Sequence, residues 1–113
     1  MKLFTTILAG ALTLALVPAL RADDKVARGK QVFEEQKCKL CHRIDGVGNP
    51  KGVLDEVGSK HDADTLRMWL TTPKEMAQKS GSTRKPPMRS FEKLPKDDVD
   101  ALVAFLSTLK KKI

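Results

Sequence analysis

The chain has 113 residues, 31% of them charged and 41% hydrophobic, with 21 lysines and arginines against 14 aspartates and glutamates for a net charge of +7. That length fits one domain, and with four Phe, one Trp and no Tyr the core is thin enough to need a staple or a cofactor. The charge is too modest, and too free of aromatic–basic interleaving, for a nucleic-acid binder.

The opening residues are read apart from the fold. Met1-Lys2 is basic, Leu3 to Leu20 is apolar apart from Thr5, Thr6, Thr13 and Gly10, and small residues follow Pro18 ahead of Arg21-Ala22-Asp23-Asp24. The pattern predicts a secretory signal peptide over residues 1–22, cut after Ala19 or Ala22, with a single domain over 23–113 exported to a bacterial periplasm. So short an apolar run sits at the lower limit for an uncleaved anchor. The single basic flank and the small residues favour cleavage, after which no stable membrane insertion is expected. The mature chain stays basic, which suits docking to an acidic protein surface.

Asp23 or Asp24 is expected to cap a helix reaching about Lys37, with Val26, Gly29 and Phe33 on one narrow face. Glycine costs a helix stability, so at position 29 it points to another backbone passing close by. Cys38-Lys39-Leu40-Cys41-His42 follows. Thiols at i and i+3 with a histidine directly after the second read as a c-type haem attachment site. One helical turn sets both sulfurs on one face, toward the two vinyl groups of a porphyrin, and carries His42 beneath the ring as a ligand to iron. A Cys38–Cys41 disulfide is the rival in an exported chain, although so short a loop staples little. A zinc site from these residues and His61 is awkward, because Cys41 and His42 are adjacent.

Ile44 to Lys60 reads as loop, punctuated by Gly46, Gly48, Asn49-Pro50, Gly52 and Gly58. Its expected work is to wrap one haem edge and to supply a carbonyl near Gly52-Val53 for the second ring nitrogen of His42. Asp62 to Thr72 reads as a helix capped by Asp62 or His61, with Leu66, Trp69 and Leu70 on its inner face. Pro73 ends it and begins a short helix over Lys74 to Gln78. Trp69 either fills the core or donates its indole N–H to a haem propionate; Met68 is expected in the core, and Met76 over the haem edge. Lys79 to Leu94 is irregular, and Pro86-Pro87 stiffen the approach to Met88, holding its thioether at a set depth. Lys96 to about Lys110 is the clearest helix. Acidic residues open it, Lys110, Lys111 and Lys112 close it, and Val99, Leu102, Val103, Leu106 and Leu109 form its stripe. Phe105 beside that stripe is expected to face the first helix. No stretch alternates as a strand, so the fold class is all-α.

Phe33, Cys38-x-x-Cys41-His42, Leu66-Arg67-x-Trp69-Leu70-x-x-Pro73, Met88-x-x-Phe91 and the helix between Leu94 and Leu109 together resemble a small class I monohaem cytochrome c of the bacterial periplasmic type. The resemblance runs from Val26 to Leu109. It implies N- and C-terminal helices that cross near Gly29 and Phe33, with short helices and loops wrapped around one covalent haem c. It implies thioethers at Cys38 and Cys41, His42 as proximal ligand and Met88 as distal ligand. In two places the chain departs from the family pattern. Gly52-Val53 stands where relatives often have Gly-Pro, which is expected to leave the carbonyl less rigid, and Arg89 stands where many have Pro, which is expected to loosen the ligand loop. The implied function is that of a soluble, monomeric one-electron carrier and not an enzyme. Redox partner proteins with an acidic docking surface would meet Lys37, Lys39, Arg43, Arg84, Lys85 and Arg89 around the haem edge. Two alternatives stay open: the subunit through which electrons enter a larger oxidoreductase complex, and a haem sensor or peroxidase-like protein whose Met88 leaves the iron.

Overall fold

A glycine on a buried helix face, an i, i+3, i+4 stripe at the far end of the chain and one proline-started helix between them are the features that decide the architecture. The computed structural model describes residues 9–12 and 21–112; most of the signal-peptide segment, with the cut after Ala19, lies outside the described residues. The fold is all-α. Helix α1 spans Ala22–Glu35, α2 Val57–Lys60, α3 Ala63–Thr71, α4 Pro73–Ser80 and α5 Lys96–Ser107, with 3-10 turns at Cys38–Leu40 and Pro50–Gly52.

Helix α1 buries Gly29, Val32 and Phe33. Its start corrects the expected cap: Arg21 holds the cap position without a side-chain bond, and Asp23 and Asp24 fall inside the first turn. There their charge still meets the positive end of the helix. Helix α5 buries Val99, Ala101, Leu102, Val103, Phe105 and Leu106 and crosses α1. At the crossing a Cβ built on Gly29 would overlap the Ala101 carbonyl oxygen and stand 2.6 Å from Phe105 Cβ. Phe33 and Phe105 close the crossing with ring centroids 5.7 Å apart. At its edge Arg28 grips Asp98 through Nε and Nη2 at 3.1 and 3.2 Å.

Helix α3 starts where Asp62 Oδ1 accepts from Thr65 N at 2.8 Å, and it packs Leu66 and Leu70 against α5. Arg67 reaches Asp100 of α5 at 2.6 Å. One expected core residue is not core. Met68 is 40% exposed, and Trp69 is half-buried but outside the cluster formed by Val32, Phe33, Leu66, Leu70, Phe91, Val99, Leu102, Val103 and Leu106. The helical period explains the place of Met68. Two residues turn the helix by about 200°, so with Leu66 and Leu70 inward, Met68 faces out. Helix α4 begins on Pro73 in its first turn and runs two residues beyond the expected Gln78, to Ser80.

The segment expected to be wholly loop contains a minimal ribbon, β1 Arg43–Ile44 antiparallel to β2 Val47–Gly48, turned by Asp45 and Gly46 at φ of 48° and 77°. Such a two-residue turn matches the twist of a hairpin. Helix α5 stops at Ser107, short of the expected Lys110. The lysine instead donates from Nζ to Gly58 O at 3.1 Å, while Gly58 N donates to Leu109 O at 2.8 Å and Lys111 N to Ser59 Oγ at 2.7 Å. The turn of α2 thus takes up the chain end where further helix was expected. Among the described residues, no helix is long and apolar enough to cross a membrane.

Replacing Gly29 with Ala in an ordinary helix gains up to about 1 kcal/mol. Here the methyl meets a backbone oxygen that cannot rotate away, and overpacking of that kind costs about 1–3 kcal/mol. Gly29→Ala is therefore expected to destabilise the haem-loaded protein, read as a lower midpoint in guanidinium unfolding.

Candidate functional site

The site grows from the end of α1. Gln36 N still bonds to Val32 O at 2.8 Å, and Lys37 then turns the chain with a left-handed φ of 57°. Cys41 N and His42 N both return to Cys38 O, at 3.1 and 2.9 Å, so residues 38–42 form a single turn. Cys38 and Cys41 are free and half-buried on it. Burial pushes the Cys38 thiol up to about 11, with nearby Arg89 opposing.

His42 is held by its Nδ1, 3.1 Å from Gly52 O. Burial lowers the ring below its usual value, and the Gly52 bond only partly offsets this. The ring is therefore neutral near pH 7. Because a carbonyl only accepts, the proton sits on Nδ1 and the Nε2 lone pair is free for a metal. The acceptor lies where the sequence placed it, and the missing proline has not freed it. Val53 bridges to Arg43 in parallel register, and Leu54 N bonds to Arg43 O at 2.8 Å. A Cβ on Gly52 would overlap Cys41 O and the Arg84 guanidinium, so this carbonyl is kept in place by close packing.

Met88 is half-buried and, like Cys38, packs against the core cluster. Downstream of it, Phe91 N donates to Leu70 O at 2.7 Å and Ser90 Oγ to Thr71 O at 2.9 Å, which fastens the segment to α3. Arg89 corrects an expectation. It does not slacken the loop but donates from Nη2 to Gln36 O at 2.7 Å and lies 4.9 Å over the Phe91 ring. Arg84 Nη2 donates to Cys41 O. Several members of the expected basic ring are engaged, although among the described residues only Lys39 meets a carboxylate. Arg84 and Arg89 are spent on backbone carbonyls, Lys39 pairs with Glu34 at 2.6 Å, and Arg43 Nε is buried with no partner among the described residues. Sequence reasoning did not show these two carbonyl contacts. The one signal in the chain was their position, either side of Met88.

Trp69 and Met76 are half-buried on α3 and α4, and His61 is half-buried at the end of α2. Two thiols on one turn, a neutral imidazole with its second nitrogen oriented, and a tethered thioether form a donor set that fits a haem iron and the vinyl edge of its ring.

An all-α domain carrying these donors belongs to the class of small proteins that hold haem c covalently. Residues 26–110 match the family described as Cytochrome c, and the chain belongs to the cytochrome c family. Its cofactor is haem c. Over 92 residues it is 28% identical to cytochrome c oxidase subunit 2 of Alkalihalophilus pseudofirmus, a stretch that covers 74% of this chain and 25% of that relative. The chain thus spans about a quarter of the length of the relative it matches. No solved structure matches it.

Gly52→Ala sets a methyl against Cys41 O, a main-chain atom with no room to yield. It is expected to cost the haem-loaded protein about 1–3 kcal/mol, measured by thermal and guanidinium unfolding of the purified holoprotein.

Proposed function

We propose that this chain is an exported, soluble and monomeric one-electron carrier of the periplasm, released from a signal peptide over residues 1–22, and that it is not an enzyme. The observation that supports the reading best is the pairing of an oriented His42, free at Nε2, with a Met88 whose segment is pinned to both the thiol turn and α3. In this reading Cys38 and Cys41 would hold haem c through thioether bonds, His42 Nε2 and Met88 Sδ would ligate its iron, and the Trp69 indole N–H would serve a propionate.

Haem c supplies the iron(III)/iron(II) couple. With His42 and Met88 as its ligands, the iron would be reached by a small substrate only through displacement of a side chain. A thioether is a soft ligand and favours the ferrous state, raising the potential. His42 is fixed by Gly52, and the Met88 segment is fixed by Leu70, Thr71, Gln36 and Cys41. Ligands held this firmly move little between oxidation states, which keeps the reorganisation on electron transfer small.

A second reading is favoured by the relative: the chain acts as the domain or subunit through which electrons enter a larger oxidoreductase, in the manner of a cytochrome c oxidase subunit 2. Native size exclusion separates the two, since a free carrier elutes at its monomer mass.

In the ferric holoprotein a weak far-red band from the iron–thioether bond is expected. Met88→Ala should abolish it and lower the midpoint potential; an unchanged spectrum sinks the Met88 assignment. The sequence isoelectric point near 9.6, with Lys37 and Lys85 exposed beside the two site segments, supports docking to an acidic partner. The electron-transfer rate should then fall as salt is added, and a salt-independent rate speaks against steering.

A further inference from the structure

Arg84 and Arg89 stand on either side of Met88, and each ends on a main-chain carbonyl of the segment that carries the thiols. Arg84 takes Cys41 O, and Arg89 takes Gln36 O at 2.7 Å with Gln36 Oε1 further out at 3.5 Å. The Gln36 carbonyl is at the end of α1, where main-chain oxygens lack intrahelical donors and the helix presents its negative pole. Helix α1 has no basic residue in its own last turn. Arg89 supplies that cation from 53 residues further along the chain. The guanidinium is also laid over Phe91, which is buried and bonded through its N–H to Leu70 O. A cation over an aromatic face is attracted to it, so the arm has one rigid support on each side. The carbonyl it takes directly precedes Lys37, whose left-handed backbone turns the chain into the thiol motif.

We infer that Arg89, assisted by Arg84, is a positioning clamp for Met88, tying the distal segment to the end of α1 and so setting how readily an outside ligand replaces the thioether. The inference rests on the reading of Met88 as the iron ligand. A proline after the methionine would stiffen only its own segment. Arg89 instead binds that segment to the helix that delivers the cysteines, so the lability of the sixth ligand is governed by a side chain that does not itself touch the iron.

The test uses the haem-loaded wild type, R89Q, R89K and R84Q. Each ferric protein is titrated with imidazole while the far-red iron–thioether band and the visible spectrum are followed. The clamp predicts imidazole affinity roughly three- to tenfold higher in R89Q, the size expected for one charge-assisted hydrogen bond discounted for exposure. R89K should recover part of the difference, because an ammonium reaches the carbonyl but loses the flat contact with Phe91. R84Q should shift in the same direction as R89Q. Equal or weaker imidazole binding by R89Q and R84Q, in a wild type that shows the band, overturns the clamp even where melting temperatures fall. Should R89Q not mature with haem, R89K and R84Q decide, and wild-type affinity in both overturns it. A wild type without the band overturns the Met88 reading itself, whatever the variants do.

Discussion

The close approach of α1 to α5 at Gly29 is the contact on which the other placements depend. With the Ala101 carbonyl filling the space a side chain would need, the two helices meet at main-chain distance, and Val32, Phe33, Leu102 and Leu106 are driven into one cluster. That fixes where α1 ends, and therefore where Gln36 turns into the thiol motif. It also fixes α5, against which α3 lays Leu66 and Leu70, and from Leu70 O hangs the segment that carries Met88. Both halves of the site are thus referred to one helix crossing that contains neither.

Main-chain carbonyls do most of the holding near the site. Gly52 O orients His42; Gln36 O, Cys41 O, Leu70 O and Thr71 O receive the donors that fix the Met88 segment. Apart from Lys39–Glu34 on the thiol turn, the ion pairs lie elsewhere, at the helix edges. Arg28–Asp98 and Arg67–Asp100 join α1 and α3 to α5 with their arginines 39% and 40% exposed, a setting in which such pairs contribute at most about 1 kcal/mol each. They refine the register of helices that apolar burial has already brought together.

Local regularities carried much of this into the sequence. The spacing of Cys38, Cys41 and His42, the stripe on α5, the Asp62 cap and the glycine on the face of Phe33 each follow from periods of three or four residues, and the structure repeats them. Even the His42 acceptor was legible, because a glycine-marked loop must return to the motif it follows. The failures at Arg84, Arg89 and Lys110 have a common cause. Arg84 and Arg89 have long arms that reach solvent or a carbonyl equally well, and nothing near them in the chain names Gln36 or Cys41 as the partner. Lys110 looked like a helix-end cation until α2 supplied Gly58 O in a different direction. Met68 failed for a simpler reason: a hydrophobic residue was assigned to the core by its type when its angle on α3 pointed outward.

The crossing also makes the chain a closed ring. Residues 70 apart meet at Arg28 and Asp98, a closure that costs on the order of 4 kcal/mol in chain entropy. Both segments that carry the proposed ligands lie on the ring so formed, and any tie between them divides a loop whose ends are already joined. Gly81, Ser82 and Thr83 are exposed on that ring, beyond α4. A single peptide-bond cut there would turn the ring back into two arms, each retaining one helix of the crossing and one of the two proposed ligand segments. Severed covalently, the two pieces would still be clasped by the α1–α5 seam.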